Sequence, residues 1–337
     1  MSCVPEIRVL VAGGSGYAGA LAARLVDRHP ALALSAVTSR SDAGRPLGEL
    51  YPQHRVDAVL EELDLERHGD VDAAIVAYPH GAAALVVAAL RARGVRVVDL
   101  SADFRLRDRP TYERWYGEHG APELFGAGVY GLPELYGAQI AGADLVANPG
   151  CYPTATLLAL APLAASGTVV DVVVDAKSGV SGAGRSPSAK THFSTMAENV
   201  VPYGVGAHRH MPEIDQELAR LGAPVTTTFT PHLMPLDQGE LVSCYVATSE
   251  PWSQERVDEA YAQWANGHPF VELAAAPPGV RDVRDTNVCS IWARADERTG
   301  KVFVFAAIDN LWKGAASQAV QNLNLMFGLP ETAGIAP

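Results

Sequence analysis

The sequence predicts an α/β fold: a parallel sheet interleaved with helices, followed by an α+β region built on a mixed sheet. Three observations predict it. Short β-branched runs alternate with helical stretches as far as residue 147. A glycine-rich turn joins the first such run to the first helix. After Cys151 the texture changes, and strand-like runs dominate around a single early helix. Alternating strands and helices mean βαβ units and a parallel sheet.

Ile7 to Ala12 (IRVLVA) is a short apolar run ending in glycines, as a buried parallel strand should be. A helix follows from about Tyr17 to Arg28, then a second strand from Leu32 to Thr38. Ala73 to Tyr78 is a third strand, leading to an Ala/Leu-rich helix from about Ala82 to Arg93. Gly94 sits where a helix C′ residue is expected. Val95 to Leu100 is a fourth strand. Residues 101–140 carry more Gly, Pro, Tyr and charge, and read as an ordered excursion. Leu145 to Ala147 is a short strand running into Asn148-Pro149-Gly150-Cys151. Beyond it come a helix from Thr154 to Leu163 and strands at Val169–Ala176, Val225–Phe229, Leu241–Thr248, Val288–Ala293 and Val302–Ala307. A last helix, about Ala315 to Met326, follows Gly314. The change of texture sets a domain boundary near residue 147.

A chain of 337 residues has room for roughly two domains of about 150 residues each. Its 48% apolar content supports a sizeable core and excludes wholesale disorder. The net charge of -12 argues against general nucleic-acid or anionic-membrane binding. A small anionic substrate stays compatible, because a pocket can be locally basic. Cys3, Cys151, Cys244 and Cys289 are far apart, with no Cys-x-x-Cys pair. That indicates neither a zinc knuckle nor a disulfide framework, and it fits a reducing cytoplasm. The opening MSCVPEIRVLVAGG has the wrong order for a signal peptide. Val71 to Leu90, the most apolar stretch, contains Asp72, Pro79 and His80. A bilayer span needs about 20 clean apolar residues, so no membrane segment is expected.

Gly13-Gly14-Ser15-Gly16-Tyr17-Ala18-Gly19 lies between strand and helix of the first βαβ unit. Glycines there let the backbone approach a pyrophosphate, and the helix start offers N–H donors. The framework Gly13-x-x-Gly16-x-x-Gly19 departs from the G-x-G-x-x-G fingerprint, but its strand–turn–helix setting predicts a Rossmann-type dinucleotide site. Gly13, Ser15, Gly16, Tyr17 and Gly19 are its candidate residues. An acidic residue ending the second strand would select NAD. Thr38-Ser39-Arg40-Ser41 stands there instead. Ser39 and Arg40 suit the extra phosphate of NADP, since Arg bonds phosphate oxygens bidentately.

Asn148-Pro149-Gly150-Cys151-Tyr152-Pro153-Thr154 is the second motif. Pro153 suits a first helical turn, which places Cys151 just before the helix. A thiol there has its pKa lowered by the dipole, and neighbouring N–H groups can bind an oxyanion. The other three cysteines read as small buried hydrophobes. His208-Arg209-His210-Met211-Pro212-Glu213 is the third motif. Cysteine chemistry needs an acid/base near neutral pH, which histidine supplies. Arg209 can pair with an anion, and Glu213 can orient an imidazole if a helix begins at Pro212. His192, His208, His210 and His232 lack metal-ligand spacing, so no metal is expected. Lys177 to Arg185 (KSGVSGAGR) follows a strand, where bare backbone lets a nicotinamide and substrate approach. Asn310 can hydrogen-bond a carboxamide.

Taken together, these motifs resemble the N-acetyl-γ-glutamyl-phosphate reductase family over nearly the whole length. The most specific match is Val146 to Ala155, closing at Leu160-Ala161-Pro162. Gly13 to Gly19, Asp99 to Arg105, Tyr130 to Glu134, Ser178 to Gly184, His208 to Glu213 and Asp309 to Ala316 support it in the correct order. The family is similar in fold and mechanism to aspartate-semialdehyde dehydrogenase. The resemblance implies NADPH-dependent reduction of an acyl phosphate to an aldehyde through a Cys151 thioester, in arginine biosynthesis. It implies His210 as acid/base, with His208 as the alternative and Glu213 orienting the imidazole. Arg105 then takes the phosphate side and Arg209 the substrate carboxylate. Ser178, Gly179, Gly182 and Asn310 hold the nicotinamide half. It also implies that the last helix returns to the first domain. The division is then 1–147 with 314–337 for NADP, and 148–313 for catalysis and assembly as a homodimer or homotetramer. Aspartyl phosphate, or a carrier-bound glutamyl or aminoadipyl phosphate, is the alternative substrate class. A non-catalytic NADP-binding sensor is the alternative outside enzymes.

Overall fold

A computed structural model describes residues 6–335. Cys3, and with it the expectation of its burial, lies outside the described residues. The chain separates into two compact units: residues up to Pro149 together with those from Ala315 onward, and Gly150–Gly314.

The first unit is built from β1 (Ile7–Ala12), α1 (Tyr17–Asp27), β2 (Leu32–Thr38), α2 (Leu47–Leu50), β3 (Leu60–Glu61), α3 (Leu65–His68), β4 (Ala73–Val76), α4 (Ala84–Arg91), β5 (Arg96–Asp99), α5 (Arg109–Tyr116), β6 (Val129–Tyr130), α6 (Pro133–Ile140) and β7 (Leu145–Ala147). Its seven strands run in the order β3-β2-β1-β4-β5-β7-β6. Every neighbouring pair is parallel. Chain order reverses between β1 and β4, which leaves a crevice at their C-terminal ends where α/β sheets bind ligands. β1 and β4 are continuous apolar runs because helices cover both faces of a parallel sheet. Val9 to Ala12 and Ala73 to Val76 are all completely buried.

The second unit holds α7 (Cys151–Ala165), β8 (Val169–Gly179), α8 (Phe193–Met196), β9 (Val201–Pro202), α9 (Met211–Leu221), β10 (Thr228–Met234), β11 (Glu240–Thr248), α10 (Gln254–Ala265), β12 (Val271–Leu273), β13 (Cys289–Asp296) and β14 (Lys301–Ile308). Its sheet runs β12-β13-β14-β11-β8-β10-β9. The β8–β10 and β12–β13 pairs are parallel and the rest antiparallel, so the sheet is mixed. α7 is apolar on all sides and packs against this sheet, α9 and α10. A helix hydrophobic all round has to be buried. Leu157, Leu158, Leu160 and Leu163 are at most 1% exposed, each burial contributing about 1.5–3 kcal/mol.

The chain then returns to the first unit as α11 (Ser317–Met326). It packs on α1, α6 and β5. Asn322 Nδ2 donates to the Gly131 carbonyl (2.9 Å) and to Asn148 Oδ1 (3.0 Å).

Several boundaries differ from the sequence reading, and three of them have a visible cause. The Cys151 helix starts three residues earlier than expected, because Pro153 occupies its third position, where a missing N–H costs nothing. The strand expected at Val225–Phe229 runs instead from Thr228 to Met234, because both the N–H and hydroxyl of Thr227 are taken by Asp215 of α9. A π-turn at Trp312–Ala316 delays α11 to Ser317.

In the excursion after β5, Asp103 accepts from the N–H groups of Gly81 and Ala84 and from the Tyr112 hydroxyl, tying this segment to the start of α4. Asp99 accepts from the N–H and hydroxyl of Ser101. Burial raises the Asp99 pKa to about 7 against those hydrogen bonds. The folded state therefore favours the protonated acid, and wild-type stability falls as pH rises through the window below about 7. An Asp99→Asn variant escapes that loss. Urea unfolding at pH 5.5 and pH 8 should show the variant gaining on wild type with rising pH; a pH-independent difference overturns this account.

Candidate active site

Cys151 is the first residue of α7, and Gly150 is its N-cap with no side-chain hydrogen bond to the helix. Cys151 is in no disulfide and is half-buried. A helix start uncapped by a side chain leaves its first N–H groups and positive dipole end for an anion. Pro153 removes one of those N–H groups, so Cys151 and Tyr152 supply the remaining donors of the first three positions. Gly150 is extended (φ -68°, ψ 159°), a conformation open to any residue. Its reason for being glycine is space: a Cβ there would lie 2.5 Å from His210 Nε2. Gly314 clears the other side, where a Cβ would lie 2.8 Å from that of Cys151. The imidazole of His210 is therefore seated on the residue that precedes the nucleophile.

His210 is the N-cap of α9, which starts at Met211 rather than Pro212. Glu213 is 1% exposed, and its Oε1 accepts from the Gly150 N–H at 2.9 Å. It thus ties the start of α9 to the start of α7. His208 packs edge-on against Tyr152, Tyr203 and His210 and tilts over Phe229. Its Nδ1 accepts from the His210 N–H at 3.2 Å. Burial, helped by the charge of Arg209, pushes His208 down to about 4. It is neutral near pH 7, and it holds the backbone of His210 in place. Arg209 is exposed.

The glycine segment after β8 is folded back on its neighbours. A Cβ on Gly179 would lie 2.6 Å from the Asp237 carbonyl oxygen, and one on Gly182 would lie 3.3 Å from Ser178 Oγ. Asn310, expected to hold a carboxamide, has both ends engaged within the protein. Its Oδ1 accepts from Gly239 N–H (2.7 Å) and its Nδ2 donates to Ser181 Oγ (3.0 Å). It is a tie between two loops.

In the first unit the glycine loop fits a dinucleotide, with a corrected register. Gly14, not Gly13, opens the motif, and Gly14-x-Gly16-x-x-Gly19 is a G-x-G-x-x-G sequence. A Cβ on Gly14 would lie 2.0 Å from Val37 Cγ1, and one on Gly19 would lie 2.3 Å from the Gly13 carbonyl oxygen. At Gly16 the nearest atom is 3.7 Å away. The outer two glycines serve the turn and helix–strand packing, and the middle one leaves open space for a phosphate. Gly16 is also the N-cap of α1 and makes no side-chain hydrogen bond there. Gly13 itself needs glycine, since it adopts a φ of +95°. Tyr17 stacks edge-on with Tyr51, whose hydroxyl donates to the Ser15 carbonyl.

Two anion-site expectations change. Ser39 is 2% exposed and its hydroxyl donates to Ser15 Oγ at 2.8 Å, so it braces the loop. Arg40 beside it is exposed. Arg105 is 4% exposed, and its Nε and Nη2 donate to the carbonyls of Asn148 (2.7 Å) and Leu100 (2.8 Å). These two bonds fix the turn three residues ahead of Cys151.

Sequence reading missed Gly14, the aromatic cage of Tyr152, Tyr203 and Phe229, and Glu240. Gly14 was legible as a spacing. Glu240 had a signal too: it is in phase with Val242, Cys244 and Val246 on the core face of β11, and all four are completely buried. The aromatic cage joins residues far apart in the chain, and no spacing announces it. Among the described residues no group of three or more His, Cys, Asp or Glu side chains is placed to hold a metal ion, and no helix is long and apolar enough to cross a membrane.

Residues 8–143 match the semialdehyde dehydrogenase NAD binding domain, and 151–310 match the semialdehyde dehydrogenase dimerisation domain. N-acetyl-gamma-glutamyl-phosphate reductase of Rubrobacter xylanophilus is 49% identical over 339 residues, covering 98% of both chains. The enzyme of that name from Desulforudis audaxviator is 48% identical over 340 residues, with 98% of both covered. That from Dehalococcoides mccartyi is 48% identical over 326 residues, with 95% of both covered. Among solved structures, aspartate semialdehyde dehydrogenase II of Vibrio cholerae superimposes with a TM-score of 0.73 at 20% identity, over 95% of this chain and 98% of that one. The Candida albicans enzyme with NADP gives 0.68 at 15% identity, over 95% and 98%. These two establish the fold: a Rossmann-type parallel-sheet unit joined to a mixed-sheet α+β unit.

Exposure and charge separate the described thiols. Cys244 and Cys289 are completely buried, and burial pushes Cys244 up to about 12. Iodoacetamide at pH 7.5 should alkylate Cys151 and spare these two until the protein is unfolded. Peptide mass mapping checks it, and native labelling of Cys244 or Cys289 ahead of Cys151 contradicts the structure.

Proposed function

Because the chain belongs to the N-acetyl-γ-glutamyl-phosphate reductase family, we infer that it reduces N-acetyl-γ-glutamyl phosphate to N-acetylglutamate 5-semialdehyde and phosphate. NADPH is the electron donor, and the pathway is arginine biosynthesis. One observation carries the chemistry: a thiol outside any disulfide begins a helix that no side chain caps, and an imidazole nitrogen lies over the residue before it.

The Cys151 thiolate attacks the γ-acyl carbon, the carbon–oxygen bond to phosphate breaks, and a thioester forms. The N–H groups at the start of α7 stabilise the oxyanion that builds up on the acyl oxygen. When bound, NADPH supplies the hydride that takes the thioester to the thiohemiacetal level. His210 is the acid/base: it protonates the thiohemiacetal oxyanion and removes that proton again as the carbon–sulfur bond breaks, releasing aldehyde and thiolate. His208 is excluded from this role by its low pKa and its enclosure, and it positions His210. Glu213 positions the imidazole by joining α9 to Gly150. Arg105 positions the Asn148 turn. The exposed Arg209 is the group for the substrate carboxylate.

Gly14, Gly16, Gly19 and the open start of α1 hold the pyrophosphate, with Ser15, Tyr17 and Ser39 shaping the loop. Arg40 takes the 2′-phosphate. Ser178, Gly179 and Gly182 line the nicotinamide side, with Asn310 bracing them. The cofactor domain comprises 1–147 with 314–337, and 148–313 carries catalysis. The latter span overlaps the stretch matched to a dimerisation domain, which supports a homo-oligomer. A working free thiol suits the cytoplasm.

The test runs the reaction backwards. Purified protein with N-acetylglutamate semialdehyde, phosphate and NADP should produce NADPH, followed by absorbance. Cys151→Ser should lower turnover by about 10³-fold or more, because a serine hydroxyl lacks thiolate character at neutral pH. A silent wild type, or an active Cys151→Ser variant, overturns the assignment.

Arg40→Asp should raise KM for NADP by about 10–100-fold, the worth of one charge-assisted contact, and leave KM for NAD nearly unchanged. Equal effects on both cofactors remove the 2′-phosphate role from Arg40.

A further inference from the structure

The turn that carries Gly314 is held by a carboxylate that the mechanism above does not use. Asp309 follows β14 and is completely buried. Its Oδ1 accepts from the N–H groups of Leu311 (2.9 Å) and Trp312 (3.2 Å). Its Oδ2 accepts from Gln238 Nε2 (2.9 Å) and from the Asp285 N–H (2.9 Å). These bonds fill the acceptor sites that a carboxylate offers. The Asp309 carbonyl accepts from the Gly314 N–H, five residues on, at 3.0 Å. That bond belongs to the wide π-turn at Trp312–Ala316, a geometry that occurs mostly as single turns and often at functional sites. Opposite the turn, Asp285 holds a φ of +58°, in the left-handed region that residues with a side chain seldom adopt. Its Oδ1 accepts from Gln238 Nε2 (2.9 Å) and Trp312 Nε1 (3.2 Å). Strained residues persist where their surroundings over-determine them, and they gather at active sites. Gln238, Asp285, Asp309 and Trp312 thus tie three separate segments into one knot. At its end stands Gly314, where a Cβ would lie 2.8 Å from the Cβ and 3.3 Å from the Cα of Cys151.

We propose that Asp309 is a positioning residue for Cys151: by holding the π-turn closed it keeps the Gly314 backbone against Cys151 and so fixes where the sulfur points. The start of α7 has two walls, the His210 imidazole over Gly150 and the backbone of Gly314 beside Cys151. Glu213 secures the first through Gly150, and Asp309 secures the second. An Asp309→Asn variant separates this role from mere bulk, because it keeps the shape of the side chain. Its NH₂ group replaces one acceptor oxygen and meets two N–H donors head-on. Whichever oxygen is lost, half of the knot opens: either the Leu311–Trp312 turn, or the tie to Gln238 and Asp285. Gly314 then leaves its place, and the thiol turns away from the N–H groups at the start of α7.

The proposal rests on Cys151 as the nucleophile, but its first measurement needs neither substrate nor cofactor. It can therefore fail while the reductase reading stands. Alkylation of the full chain by iodoacetamide is followed by peptide mass mapping at pH 7.5 and pH 10. At pH 7.5 Cys151 of Asp309→Asn should react about 10-fold more slowly than in wild type, a factor equal to one hydrogen bond to a charged group. At pH 10, where a thiol ionises without help, the two proteins should agree within about 2-fold. In the reverse reaction turnover should fall about 10–100-fold, as for a reacting group displaced by about 1 Å, with little change in substrate KM. Equal rates at pH 7.5 overturn the proposal, as does slowing by the same factor at both pH values. Labelling of Cys244 or Cys289 in the variant marks a loosened fold and overturns it too. If Asp309→Asn does not fold, Trp312→Phe decides, since it removes the indole N–H that Asp285 accepts. Slowing at pH 7.5 alone supports the proposal, and an unchanged rate there overturns it.

Discussion

The start of α7 has to be buried and uncapped at once, and the second unit is organised around that conflict. An N-cap side chain is worth about 1 kcal/mol to a helix. α7 forgoes it, and its wholly apolar length offsets the loss many times over through burial against sheet and helices. The N–H groups left over provide a positive field at the thiol. Everything that touches this point is chosen for what it omits: no Cβ at Gly150, none at Gly314, and no N–H at Pro153. The two ties that steady it, from Glu213 to Gly150 and from His208 to His210, come from the α9 side and leave the thiol accessible.

The first unit repeats the device for a different anion. Both α1 and α7 follow a buried strand through a short turn, and both take a glycine as N-cap. In each case that glycine is extended rather than left-handed. By contrast α3, α5 and α10, which face no proposed ligand, are capped by the side chains of Asp64, Asp108 and Ser253. Spending one cap at each ligand-facing helix start yields a phosphate cradle in one unit and an oxyanion site in the other. The bracing around α1 follows the same economy: Ser39, Ser15 and Tyr51 bond one another's polar atoms, which holds the loop while keeping side chains out of it.

Much of this was legible in one dimension. Strand and helix periodicity placed the long strands of both sheets and the helices α1, α4, α7 and α11, because a parallel sheet demands continuous apolar runs and a helix demands a 3.6-residue repeat; it announced neither α10 nor the short strands β3, β6, β9 and β12. Cys151 and the His208–Glu213 motif stood out through helix-start chemistry, which is local. The errors were of two kinds. Gly14 was a miscounted register in a pattern that was present. Thr227 and Asn310 were misassigned because their hydrogen bonds go to Asp215, Gly239 and Ser181, residues that only folding brings near.

By itself the sequence determined the fold class and the family, and it singled out Cys151 and the glycine loop, since each depends on neighbours within a few residues or on a periodic pattern. Only the tertiary structure distinguished the surroundings of the two histidines, because burial and aromatic packing, not spacing, keep His208 uncharged. It alone showed that Arg105 and Ser39 brace their loops, through the carbonyls of Asn148 and Leu100 and through Ser15.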